Sequence, residues 1–405
     1  MRKRVVSFLL AIASVAVGCT SELPPGKEGG GLPTTIHDSL RREQDLDRLK
    51  RVTSIACSPA RRHDALTKGT GPLCAPWDSI PAVEHTSFVT ARDVASIAPE
   101  EAVISISIDR SSRAYPIRYL SRREIVNDVI AGHPVAITYC PLCNSAVAFS
   151  RRVGDDTLTF RVSGQLRRAN LVMFDTQTLS SWQQLTGEAL SGSMKGRRLE
   201  LLPARMVPFE EWHSAHPNGL VMEAPRDYAF EYALDPYWLP GSSMKPSDDA
   251  LGRALGFPAG GVDPRLPAGQ RVIGVTTRAG AVAFPIPVRE GRRLIVSTRL
   301  GRNRLVAFLA HGLAQPGSAR RFRRGTPGWS AIVYEASLDG RALDFRARAG
   351  TFLETTTGSE FDLFGRGTSG PLQGARLTAP NQVTAYWFAW SGFHPRTGIA
   401  SRSAR

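Results

Sequence analysis

Along most of the chain, short apolar runs alternate with polar turns at a spacing that suits strands better than helices. Val103-Ile-Ser-Ile-Ser-Ile-Asp109 alternates with a period of two, and Val272-Ile-Gly-Val-Thr276 is its shorter counterpart later in the chain. Val153-Gly-Asp-Asp156 reads as a turn between strands at 146–152 and 158–163. Three helices are predicted. Ser121-Arg-Arg-Glu124 reads as a capping box opening a helix over 122–130, with Ile125, Val126 and Ile130 on one face. A second runs from Phe209 to His216 and is stopped by Pro217, and a third starts at Thr90 and covers 91–97. The pattern predicts an α+β chain that is predominantly β.

The pattern also repeats. Ala114-Tyr-Pro-Ile117 follows the first alternating run, and Ala283-Phe-Pro-Ile286 follows the second. Ser145-Ala-Val147 through Phe160-Arg161 matches Ser330-Ala-Ile332 through Phe345-Arg346 at an offset of 185. Gly187, Trp212 and His216-Pro217 match Gly365, Trp390 and His394-Pro395 at an offset of 178. A period this long predicts two tandem, diverged repeats of one β-rich unit with short helices. Their expected bounds are 80–223 and 272–400, with a linker rich in Pro, Gly and Asp at 224–271.

The first 19 residues read as a signal peptide. Arg2, Lys3 and Arg4 precede an apolar run at 5–17 that is too short to span a bilayer. The run ends in Ala16-Val-Gly-Cys19, similar to a bacterial lipobox except that Ala16 stands where Leu is usual. Cys19 is therefore the expected lipidation site, and 20–79 a tether and N-terminal extension. The expected setting is the bacterial cell envelope, with a lipid anchor in the membrane and a periplasmic or surface-exposed body. The formal net charge is +15, or +12 without the three basic residues of the leader. Behind a signal peptide, that balance suits solubility or attraction to anionic envelope surfaces, and nucleic acid is not an expected partner.

Four cysteines remain after Cys19. An oxidising compartment and an even count suit two disulfides, and pairing by proximity gives Cys57–Cys74 and Cys140–Cys143, with other connectivities open. Cys140-Pro-Leu-Cys143 sits in a tight turn between two β-prone runs and is the strongest chemical feature of the chain. The leading reading is a soft-metal site, copper(I) before zinc, with Met173 as third donor. Zinc wants about four ligands and no second C-x-x-C exists. The alternative is thiol–disulfide exchange by the same pair. A second alternative is a structural or interaction protein in which the pair is a structural disulfide.

The polar residues near the pair read as follows. Asn144 and Ser145 cap the turn, Asn127 and Asp128 end a helix, and Asn170 and Asp175 flank Met173 on a strand, Asp175 starting a turn or acting as a base. Glu188 has no evident partner. His213 and His216 are three apart, but His394 repeats His216 in the Cys-free unit, so His216 reads as a fold residue. Trp182, Trp212 and Trp390 read as core. No G-x-S-x-G, H-E-x-x-H, P-loop or dinucleotide fingerprint is present, which leaves hydrolase and kinase readings without support.

Several motifs in order carry a family resemblance. They are Ala114-Tyr-Pro-Ile117, Glu124-Ile-Val-Asn-Asp128, Thr138-Tyr-Cys-Pro-Leu-Cys-Asn-Ser145, Val162-Ser-Gly164, Asn170-Leu-Val-Met-Phe-Asp175, Ser181-Trp182 and Leu185-Thr-Gly-Glu-Ala189. From about residue 80 to the end, the chain resembles the bacterial domain-of-unknown-function family numbered 3179. The resemblance implies an extracytoplasmic protein and carries over no activity. The second unit departs from the first at the cysteines. Phe308-Leu-Ala-His-Gly-Leu313 stands in their place, followed by the Arg-rich stretch Arg320-Arg-Phe-Arg-Arg324. That unit is expected to be structural.

Overall fold

Runs of Val, Ile, Phe and Tyr broken by polar turns form strands almost wherever they occur. The computed structural model describes residues 78–401, apart from 79, 95, 227–231, 233–234, 236–261, 288–290 and 317. The leader with Cys19, the extension with Cys57 and Cys74, and much of 224–271 lie outside the described residues. Among the described residues there are three α-helices, each of seven residues: α1 (Ile117–Arg123), α2 (Phe209–Ala215) and α3 (Trp387–Phe393). None is long and apolar enough to cross a membrane.

Two expected helices are corrected. Ser121 to Glu124 closes a helix instead of opening one. Extended Pro116 starts α1, and Glu124, at φ 57°, ends it by donating its N–H to Leu120 O. The β-branched run that follows is the strand Ile125–Ile130, paired with His133–Cys140, so Asn127 and Asp128 sit in a sheet. Residues 91–93 form a turn, in which the Thr90 hydroxyl donates to Asp93 at 2.5 Å. α2 forms where expected.

One strand arrangement occurs twice. In one sheet the order is Leu220–Met222, Ser111–Pro116, Ala102–Ile108, Ala204–Pro208, with Phe88–Thr90 added outside. In the largest sheet it is Gly398–Ile399, Gly280–Pro285, Arg271–Thr277, Gln382–Tyr386. The first two strands of each set are parallel to one another, and α2 or α3 follows the last. The largest sheet then continues into the other half of the sequence. Gln382–Tyr386 pairs with Ser145–Ser150 through Thr384 and Ala146, and His133–Cys140 and Ile125–Ile130 complete the path.

Packing crosses between the halves in both directions. One apolar cluster joins Cys140, Cys143, Phe149, Phe160 and Trp182 to Trp387 and Trp390 of α3. Another joins Phe209 and Trp212 of α2 to Phe308, Tyr334, Phe352 and Phe361. Each helix therefore seals apolar surface that belongs to the other half.

His216 and His394 are the C-caps of α2 and α3, as a fold role for His216 requires. Their rings lie 5.8 Å from Trp212 and 3.9 Å from Trp390. Burial lowers the pKa of both to about 4, helped by Arg205, Arg376 and Arg366 at His216 and by Arg198 at His394. The unfolded chain takes up these protons first, near pH 6.5, so stability present above that pH is lost as pH falls toward 4. The melting temperature of the wild-type chain should drop across this window. The slope should flatten in a His216→Gln, His394→Gln variant, as read by thermal denaturation at several pH values.

Candidate functional site

The cysteine turn is built by the register of one hairpin. Cys140 pairs with Ser145 at the end of the strands His133–Cys140 and Ser145–Ser150. The gap is closed by a 3-10 turn, Pro141–Cys143, and by Asn144 in a left-handed conformation at φ 48°. Pro141 pre-sets the turn, and Asn tolerates the left-handed geometry better than most residues. Both thiols are free and buried: Cys140 is 2% exposed and Cys143 is 0% exposed.

The two sulfurs have different surroundings. Asn170 Nδ2 donates to Cys143 Sγ at 3.0 Å, and the Ser145 hydroxyl lies 3.1 Å from the same sulfur. Burial pushes the Cys143 thiol up, but donors from Cys140, Ser145 and Asn170 outweigh it and hold the pKa below the ordinary thiol value. Cys140 is pushed well above it, first by burial and then by Cys143, although the backbone N–H groups of Cys143 and Leu171 bond its sulfur. These hydrogen bonds favour the thiolate form at Cys143 over Cys140.

A wholly buried amide network holds these donors. Gln184 Oε1 accepts from Asn170 Nδ2 at 2.8 Å and from Ser145 Oγ at 2.9 Å. Gln184 Nε2 donates to Thr138 Oγ1 at 3.1 Å, and Gln183 Nε2 donates to Asn170 Oδ1 at 2.6 Å. Ser145 has one hydroxyl proton and two acceptors within reach, Gln184 Oε1 and Cys143 Sγ. It accepts from the Cys143 thiol while pointing its proton at Gln184, and donates to Cys143 once that sulfur is a thiolate. The network contains no charged side chain, so the thiolate is stabilised by dipoles alone.

Sequence reasoning placed Asn170 near the pair and missed Thr138, Gln183 and Gln184. The available signal was two consecutive glutamines enclosed by Trp182 and Leu185, both buried. Met173 is buried in the same apolar cluster as the thiols, and in the sheet it stands opposite Trp182 and Val162. Among the described residues no group of three or more His, Cys, Asp or Glu side chains is placed to hold a metal.

The other polar residues serve the fold. Asp175 accepts from Thr178 N, Thr178 Oγ1 at 2.8 Å and Trp182 Nε1 at 2.8 Å. Glu354 accepts from Thr357 N and Thr357 Oγ1 in the same way in the second half, so this pattern belongs to a turn and not to a base. Asn127 is bonded both ways to the Phe160 backbone. Asp128 accepts from Arg113, Tyr115 and Thr86, which joins two of the quoted motifs across the strands. The backbone of Glu188 forms an isolated antiparallel β-bridge with that of Arg198, and His213 stacks on Phe209.

The model of the family described as "Protein of unknown function (DUF3179)" matches residues 77–397. No curated protein and no solved structure matches the chain.

Asn170→Ala would leave Gln183, Gln184 and Cys143 short of partners in a dry interior. The expected loss is about 3 kcal/mol, measured by urea denaturation of the reduced chain, against less than half of that for Thr159→Ala on the exposed rim.

Proposed function

We propose, from the premise that the chain belongs to the DUF3179 family, that Cys140 and Cys143 perform thiol–disulfide exchange. The supporting observation is the unequal solvation of the two sulfurs, with Asn170 and Ser145 both directed at Cys143. Cys143 is the attacking thiolate. It bonds one sulfur of a low-molecular-weight disulfide and expels the other as a thiolate, which takes up a proton. Cys140 then gives up its proton and attacks Cys143 of the mixed disulfide, releasing the second thiol. The products are a Cys140–Cys143 disulfide and two free thiols, so electrons and protons balance. Burial of both sulfurs favours a small partner over a folded protein.

A second reading has its own support. The backbone N–H groups of Cys143 and Ser145 bond the two sulfurs, which suits thiolates bound to a soft cation, and Met173 lies in the same cluster. On that reading copper(I), before zinc, is held by Cys140 and Cys143 with Met173 as third donor.

We also propose that the chain is exported and lipidated at Cys19, and that it arose as two diverged copies of one unit. The recurrent strand order and the matched Asp175 and Glu354 turns support the duplication. The second copy supplies α3 over the thiol turn and has no cysteine of its own.

Intact-mass analysis after a small disulfide is added to reduced protein separates the readings. Exchange is expected to give an internal disulfide in the wild type and a trapped adduct on Cys143 in Cys140→Ser. Cys143→Ser should give at least tenfold less adduct. No adduct in any form, with copper(I) bound at one equivalent only when both cysteines are present, would favour the metal reading instead.

A further inference from the structure

The Arg-rich stretch of the second half takes no part in the thiol chemistry, and the fold makes a surface of it. Ser330 pairs with Ala310 as Ser145 pairs with Cys140, so this hairpin stands where the thiol hairpin stands in the first half. The first half closes its hairpin at once, with Pro141–Cys143 and Asn144. The second continues the pairing to Ala314 and Pro327, and the stretch that holds Arg320 to Arg324 lies beyond that end.

That stretch is pinned at its centre. Phe322 is buried in an apolar cluster with Tyr119 and Leu120 of α1 and Tyr139 of the thiol hairpin. It opens a 3-10 turn, Phe322–Arg324, closed by Gly325 N donating to Phe322 O at 3.1 Å. The Ser318 hydroxyl donates to Gln315 O at 2.6 Å and accepts from Thr326 N at 2.8 Å. Phe322 is held inside, while Arg320, Arg321, Arg323 and Arg324 are all exposed. The surrounding sequence is one-sided in charge. From Gly291 to Tyr334 there are nine arginines and no Asp or Glu. Glu211 pairs with Arg293 at 2.6 Å and Asp344 with Arg304 at 2.5 Å. Arg320, Arg323 and Arg324 pair with no carboxylate among the described residues. At the base of the stretch, Asp235 is buried, Glu101 is held by Arg118, and Glu100 adds one more acid. Exposed like charges this close repel one another, and an anionic surface relieves the repulsion.

We propose that the turn carrying Arg320, Arg323 and Arg324 is the face by which the folded body lies against an anionic bilayer, with the guanidinium groups on lipid phosphates. Arginine suits this role, because its planar fork matches phosphate oxygens. The surface rests on its own charge pattern, and the bilayer as its partner rests on the reading that the chain is exported and lipidated at Cys19. A single lipid anchor holds weakly, and a basic patch supplies the second signal that stable attachment needs. The cysteine-free half then carries a membrane contact where the other half carries the thiols.

Co-sedimentation of the full chain, as Cys19→Ser, with vesicles tests it. The vesicles are phosphatidylglycerol and phosphatidylcholine in equal parts, or phosphatidylcholine alone. One variant combines Arg320→Gln, Arg323→Gln and Arg324→Gln. A second combines Arg278→Gln, Arg299→Gln and Arg302→Gln, which removes the same charge from exposed positions at the opposite end of the same sheet and the turn adjoining it. The leader is common to all three proteins, so the difference between them reads the turn. Binding to the anionic vesicles should fall about fivefold for each arginine lost from the turn, and less than threefold in all for the second variant. It should weaken as salt is raised. Phenylglyoxal labelling of the unaltered turn, mapped by peptide mass, serves if the first variant fails to fold. Anionic vesicles should slow labelling at Arg323 and Arg324 and leave Arg299 and Arg302 unchanged. Equal losses in both variants, equal binding to both vesicles, or turn-dependent binding to soluble polyphosphate without vesicle binding would overturn the proposal. The anchor is read separately, from the mass of Cys19 peptides of the wild type recovered from cell membranes. An unlipidated Cys19 with turn-dependent vesicle binding upholds the surface and overturns the anchor, and a lipidated Cys19 with no effect of the turn does the reverse.

Discussion

Two of the apolar cores are closed by a helix from the other half of the sequence, and that constraint governs the surroundings of the thiol turn. α3 of the second half covers the thiol hairpin of the first, and α2 of the first half covers Phe308, Phe352 and Phe361 of the second. The largest sheet crosses between the halves at a single registered pair, Thr384 and Ala146. Most of the driving force for folding is apolar burial, so strands that share a core this way must order together. The cysteine turn gains its dry surroundings from this exchange. Without α3, one side of the cluster holding Cys140 and Cys143 would face water.

A dry site makes hydrogen-bond donors decisive. In water a serine and an asparagine beside a thiol would alter it little. In the interior each donor acts through a low dielectric, and an unmet polar group is costly. Cys143 has Asn170 and Ser145 directed at it, and Gln183 and Gln184 orient those two from behind. Cys140 has backbone donors, and burial holds its thiol well above the ordinary value. A difference in chemistry between two cysteines three residues apart thus follows from where one strand, Asn170–Asp175, lies against the hairpin.

The strands were legible because alternation of apolar residues survives in single stretches such as 103–109. The thiol turn was legible from Pro141 and Asn144, whose backbone preferences are local. The failures were places where local and tertiary signals competed. Ser121 to Glu124 has the letters of a capping box, yet the β-branched residues at 125, 126, 129 and 130 found a partner strand and won. Gln183 and Gln184 were invisible as site residues because their role depends on contacts with residues 13 to 46 positions away.

The central claim is that the buried donors divide the two thiols into one that ionises readily and one that does not. A pH titration of thiolate absorbance near 240 nm, on the reduced chain with Cys140 and Cys143 intact, tests it most directly. The account expects two separate steps, one below the ordinary cysteine range and lost in Cys143→Ser, the other above it. Two thiols titrating together in the ordinary range, unaffected by Asn170→Ala, would contradict it.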